Sequence, residues 1–268
     1  MIIFASDLDN TLIYSYRRME DGVCVELYEG RPCSYMTGEA HRLLQEAASQ
    51  VMFVPVTTRS LLQYRRISFP QAAVPPYALA GNGGILLRNG EEDPDWAGET
   101  KRLIHPAGPV LERALSLLAD DPHVFLGPRL VDGIFVFAKT ADMESTVAAL
   151  NASLDAEHVY VDFVGEKVYV FPLVLDKGLA LRRLRQLLGP VFIISAGDSS
   201  FDIPMLLEAD AALVPGEEVM LRDLHPLRHC RVVDGERTRF GDRALEFVIK
   251  TAAIKAPLTY TQTAGQGD

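Results

Sequence analysis

Residues 2–11 read Ile2-Ile3-Phe4-Ala5-Ser6-Asp7-Leu8-Asp9-Asn10-Thr11. A short uncharged run leads straight into two carboxylates separated by one leucine. Such a run, apolar on both faces, suits a parallel strand covered by helices on each side. Carboxylates at the carboxyl end of that strand stand where open α/β sheets place their ligands. Burying them requires a compensating cation, and Mg²⁺, which prefers oxygen ligands, is the natural candidate. A solvated Asx-type turn uses the same residues, so this segment alone leaves both readings open.

Three further apolar runs, Val51–Val56, Val191–Ala196 and Ala211–Val214, have the same character. Helical stripes lie between them: Ala40, Leu43, Leu44, Ala47 and Ala48, then Leu179, Leu181, Leu184, Leu187 and Leu188. Alternating strands and helices predict an α/β core, a doubly wound Rossmann-like parallel sheet. In the middle of the chain the rhythm changes. A helix over 109–119 is followed by strands over 123–127 and 130–138. A helix over 141–154 is followed by strands over 158–164 and 167–171. Helix-strand-strand written twice predicts an inserted α+β cap over residues 84–173, flanked by core segments 1–83 and 174–255. Val23–Met36 reads as a hairpin around Glu29-Gly30-Arg31, and residues 256–268 as a flexible polar tail.

Bulk properties narrow the function classes. The chain has 268 residues, 23% charged and 48% hydrophobic, with a formal net charge of −10. That charge argues against nucleic acid, which requires a basic face. No apolar run approaches the roughly 20 residues that span a bilayer. The three cysteines, Cys24, Cys33 and Cys230, match no zinc or disulfide spacing, and Met1–Asp7 carries no basic leader. The expectation is a cytoplasmic protein that engages neither membrane nor nucleic acid.

Other strand ends carry matching chemistry. Val191–Ala196 runs into Gly197, Asp198 and then Asp202, with Pro204 in the following first helical turn. Asp202 alone also reads as an N-cap. Lys177 opens a helix, where a cation opposes the macrodipole unless an anion is nearby; a solvated lysine is the plain alternative. Val51–Val56 ends in Thr57-Thr58-Arg59, offering a hydroxyl and backbone N–H groups. Strand tips converge on one sheet edge, so Asp7, Asp9, Thr57, Lys177 and Asp198 are expected in one cluster. A nucleophile, an acid/base, a hydroxyl, a cation and metal ligands are the parts that phosphoryl transfer needs. Of the remaining features, Gly81–Gly84 reads as a hinge into the cap and Trp96 as a loop residue. His225–His229 reads as a surface loop, and Arg17, Arg18 and Arg31 read equally as reaching over the site or as a solvated flap.

The order of these motifs resembles the haloacid dehalogenase superfamily, in its Cof-type and sucrose-phosphatase-like branch with a class IIB cap. The resemblance covers nearly the whole chain, through Asp7–Leu12, Thr57–Arg59, Gly81–Gly84, Lys177-Gly178 and Gly197-Asp198 to Leu206. It implies a Mg²⁺-dependent phosphatase acting on a small phosphorylated metabolite, such as a sugar phosphate, through an aspartyl-phosphate on Asp7. Asp9 is then the acid/base. Thr57, Thr58, Lys177 and Asn10 hold phosphate. Asp7, the Asp9 backbone carbonyl, Asp198 and Asp202 serve the metal, and Arg59 and Asn82 meet the substrate. Three positions depart from the pattern: Asn10 and Thr58 stand where glycine is usual, and Phe201 where asparagine is usual. The alternatives are a phosphomutase or phosphotransferase of the same superfamily, and a catalytically weak phosphate-ligand binding or regulatory protein.

Overall fold

The computed structural model describes residues 1–19, 21–217 and 219–255; the expected flexible tail, 256–268, lies outside the described residues. A five-stranded parallel sheet forms the centre. Its order is Cys230–Val233, Ala211–Pro215, Phe192–Ala196, Ile2–Ser6, Met52–Pro55. The four apolar runs of the sequence are four of these strands. The fifth, Cys230–Val233, is a short edge strand that Arg231 interrupts, so it lacks the signature of a doubly covered strand.

Side chains of the first strand alternate between two cores. Phe4 packs with Leu44, Phe53, Ile194 and Leu245, whereas Ile3 and Ala5 pack with Val54, Leu181, Leu184 and Met205. Helices Gly38–Ala48 and Phe240–Lys255 thus cover one face, and Lys177–Leu188 with Ile203–Glu208 the other. Burying a residue of the size of Phe4 or Ile3 contributes about 1.5–3 kcal/mol, so both faces anchor the sheet firmly. The helix starts are fixed by caps: Thr37 accepts from the Ala40 N–H and Asp176 from the Leu179 N–H.

Residues 84–104, expected within the cap, pack on the core instead. Strand Ile85–Arg88 pairs with Tyr77–Ala80, which bridges to Val56. Helix Pro94–Ile104, N-capped by Asp93 with proline in its first turn, carries Trp96 into the Ile3 and Leu181 core. Trp96 is therefore a buried helix residue and not a loop residue. Its indole N–H donates to the Gly83 carbonyl at 3.1 Å, and the Arg183 guanidinium stacks 3.7 Å from its ring.

A four-stranded antiparallel sheet follows, ordered Val159–Val164, Lys167–Pro172, Phe135–Thr140, Val124–Val131. Helices Gly108–Asp120 and Met143–Ser153 close one face over Val136, Val168 and Val170. The strands expected over 123–127 and 130–138 divide differently. Val124–Val131 is continuous through Gly127-Pro128 because it is an edge strand, where a missing N–H is tolerated. The turn falls at Asp132-Gly133, both with positive φ. A hairpin of Val23–Tyr28 and Arg31–Met36 flanks the core sheet. All three cysteines are free thiols, and no helix among the described residues is long and apolar enough to cross a membrane.

Candidate active site

The sheet brings Asp7 and Asp198 side by side at the carboxyl ends of adjacent strands, where the Asp7 N–H donates to the Ala196 carbonyl at 2.9 Å. Lys177, fully buried at the start of its helix, donates to Asp7 Oδ1 and to Asp202 Oδ1, each at 2.6 Å. Burial alone would discharge this lysine; the two carboxylates outweigh it and hold its pKa above the usual lysine value. Burial dominates at Asp7, whose pKa is pushed up to about 7 against the opposing pull of Lys177. Asp198 is raised well above the usual carboxylate range, by burial first and then by Asp7 and Asp202.

Asp7, Asp198 and Asp202 crowd one another in this site, and burial raises the pKa of Asp7 and of Asp198 despite the nearby Lys177 and Arg237. Ligand oxygens of Asp7, Asp198 and Asp202 lie within 4.8 Å of one another, an all-oxygen donor set that fits a hard cation such as Mg²⁺. The three are not equivalent. Asp202 Oδ2 already accepts from the Asp198 N–H at 3.0 Å, the Ser199 N–H at 2.9 Å and the Ser199 hydroxyl at 2.8 Å. With its other oxygen on Lys177, Asp202 braces the loop and the lysine. Gly197 makes room for this, since a Cβ there would lie 2.4 Å from the Asp202 Cβ. Asp198 accepts from the Thr11 hydroxyl at 3.3 Å and from Arg237 at 2.5 Å. Nothing in the sequence around Arg237 signals this contact, which depends on a chain reversal 39 residues after Asp198.

Asp9 turns the other way, into the cavity. Arg59 grips it with two hydrogen bonds, 2.7 and 2.8 Å, and also donates to Glu26 at 2.9 Å. Glu26, buried in the hairpin, is itself held by Ser34 at 2.6 Å and Arg66 at 2.9 Å. The protein around Asp9 pushes its pKa up even though the side chain is open to the cavity, but Arg59 overrides this and leaves it below the usual value. Thr57 is fully buried and its oxygen accepts from the Arg59 N–H at 3.2 Å, leaving its proton to donate. Asn82 does not meet the cavity. It is buried in a left-handed turn (φ 57°), with its N–H on the Thr57 carbonyl and its side chain reaching the Leu175 carbonyl at 3.4 Å.

A cavity of about 630 Å³ opens above these residues. Asp7, Asp9, Asn10, Thr58, Arg59, Lys177 and Asp198 line its floor, and the uncovered face of the cap sheet forms its roof. Arg17 and Arg18 reach it; Arg31 is not among the lining residues. The cap is seated on the core by Phe201, whose ring meets Tyr169 and Phe171 edge-on at 5.2 and 5.6 Å, and by a 2.9 Å hydrogen bond from Ser200 to Asp162.

No protein-family model matches the sequence, and neither does any curated protein. Solved structures do match over nearly the whole chain. The sucrose-phosphatase of Synechocystis, solved with sucrose and phosphate, superposes with a TM-score of 0.63 at 15% identity, covering 94% of this chain and 98% of that one. A haloacid dehalogenase-like hydrolase from B. subtilis gives 0.58 at 15% identity, with 92% and 99% covered. The trehalose-6-phosphate phosphatase of Aspergillus fumigatus gives 0.52 at 14% identity, with 93% of each chain covered. The chain has the haloacid dehalogenase fold.

Within that haloacid dehalogenase fold the three departures have local reasons. Asn10 adopts φ 60°, the left-handed region that glycine and asparagine tolerate best, so the turn is kept. Thr58 lines the cavity, where a side chain has space. Phe201 turns toward the cap and leaves Asp202 in place on Lys177.

Proposed function

We propose that this protein is a phosphate-monoester hydrolase of the cytoplasm that acts on a small phosphorylated metabolite through an aspartyl-phosphate on Asp7. The observation that carries this reading is the buried Lys177 bonded to Asp7 beside Asp198, on the floor of the cavity between core and cap. Asp7 Oδ1 is fixed by Lys177, which aims the carboxylate and leaves Oδ2 to attack phosphorus in line. Lys177, the Thr57 hydroxyl and the N–H groups around Asn10 and Thr58 offset charge on the phosphoryl oxygens. Asp9 protonates the leaving alcohol, then takes a proton from the water that cleaves the acyl phosphate. Asp7, the Asp9 carbonyl and Asp198 would hold Mg²⁺, which when bound would supply the positive charge that lets an anionic carboxylate approach an anionic phosphate. The cap excludes bulk water during both steps.

The test is phosphate release from a panel of sugar and metabolite phosphates, with and without Mg²⁺. Activity that requires Mg²⁺ and disappears in Asp7→Asn is expected. Turnover that survives the substitution would remove Asp7 as the nucleophile, and turnover indifferent to the metal would remove Mg²⁺ from the reading.

A further inference from the structure

The roof of the cavity is cationic in a way the floor chemistry does not require. Lys139 and Lys167 stand directly opposite each other on the antiparallel strands Phe135–Thr140 and Lys167–Pro172. Arg129 pairs across the other edge with Phe137, so it shares that sheet face two residues from Lys139. All three line the cavity. Like charges directly opposite on neighbouring strands destabilise the pairing, so the arrangement favours an anion between them.

Asp9 acts on Lys167 through space, but among the described residues no carboxylate forms an ion pair with Arg129, Lys139 or Lys167. Asp7 is engaged by Lys177, Asp9 by Arg59, Glu26 by Arg59 and Arg66, and Asp198 by Arg237. The remaining lining carboxylate among the described residues is Glu166, exposed at the turn, where its charge acts on Arg17. Aromatic faces orient two of the roof cations: Arg129 lies 4.9 Å from the Phe137 ring centroid, and Lys139 lies 6.0 Å from that of Phe125. In total, eight Lys and Arg side chains line the cavity against five Asp and Glu, in a chain whose net charge is −10. The local field is thus inverted relative to the whole protein.

We infer that the substrate carries a second anionic group, a carboxylate or a second phosphate, which Arg129, Lys139 and Lys167 hold on the cap while the reacting phosphate lies at Asp7. This rests on the phosphatase reading for the position of the first phosphate. A cavity of about 630 Å³ accommodates a molecule spanning both ends.

Equilibrium binding to full-length Asp7→Asn protein with Mg²⁺ tests the inference without depending on turnover. The probes are glucose 6-phosphate, fructose 1,6-bisphosphate and 3-phosphoglycerate. The two doubly anionic probes should bind at least about tenfold tighter than glucose 6-phosphate, the value of one charge-assisted contact. Which of them gains more identifies the second group as phosphate or carboxylate. In a Lys139→Gln/Lys167→Gln background that advantage should fall toward one. Lys167→Gln alone, at an exposed position, gives the same reading at smaller amplitude should the double variant fail to fold. Equal affinity for all three probes, or an advantage that survives the substitutions, overturns the inference. Hydrolysis of p-nitrophenyl phosphate by the unsubstituted protein reports separately on the phosphatase reading, so the two failures are distinguishable.

Discussion

Arg59 holds Asp9 as a planar fork, Nε to Oδ2 at 2.7 Å and Nη2 to Oδ1 at 2.8 Å, and Glu26 holds Arg59 from behind at 2.9 Å. The carboxylate that the proposed mechanism asks to carry a proton is thus kept ionised by a cation the hairpin positions.

Removing that cation should raise the Asp9 pKa, because Arg59 favours the charged form. In Arg59→Gln, the limb of the pH–rate profile that reports Asp9 should move to higher pH. A profile of kcat/KM against pH checks this, and an unmoved limb would mean that Asp9 does not titrate in the reaction.

Lys177 should support stability as well as the proposed chemistry. Lys177→Met leaves Asp7 and Asp202 without their buried partner, which should cost about 3–5 kcal/mol by urea unfolding of the metal-free protein. Activity should be lost as well. A variant as stable as the parent would show that the two carboxylates find other compensation.

The raised pKa of Asp7 ties stability to pH. Asp7 titrates near 3.8 when unfolded and about 7 when folded, so the native state binds the extra proton between those values. Its contribution is fully present below the unfolded value and is lost as pH rises toward 7. Thermal melts of metal-free protein should therefore show this contribution shrinking from about pH 4 to 7. The stabilisation gained on adding Mg²⁺ should grow over the same interval. A Mg²⁺ increment that is flat across that interval would count against Asp7 as a ligand.

Phe201 joins core to cap. Phe201→Ala removes a buried ring from Tyr169 and Phe171 and should cost about 3 kcal/mol. Amide exchange over residues 167–172 should accelerate, because the cap loses its seat. Unchanged exchange there would show that the Asp162–Ser200 and Asp132–Leu61 contacts suffice to seat it.

Much of the architecture was written locally. Four strands of the central sheet, Ile2–Ser6 among them, are apolar on both faces because helices cover both, and that requirement is visible in any window of five residues. Helices 38–48 and 177–188 show their stripes for the same reason. The edge strand Cys230–Val233, the division of the cap strands at Asp132-Gly133 and the burial of Trp96 were less legible, since each depends on which neighbour covers the segment.

The sequence by itself determined that Asp7, Asp9, Lys177 and Asp198 stand at strand or helix ends, because a buried strand must stop where its carboxylates begin. Only the tertiary structure decided how those groups divide the work. Asp202 braces Lys177 and its own loop, Arg237 sits on Asp198, and Arg59 closes on Asp9 with Glu26 behind it. It also set Lys139 against Lys167 over the cavity. These are pairings between charges distant in sequence. Local pattern reports burial and periodicity, whereas a charge's partner is fixed by the path of the chain between them, which no local window contains.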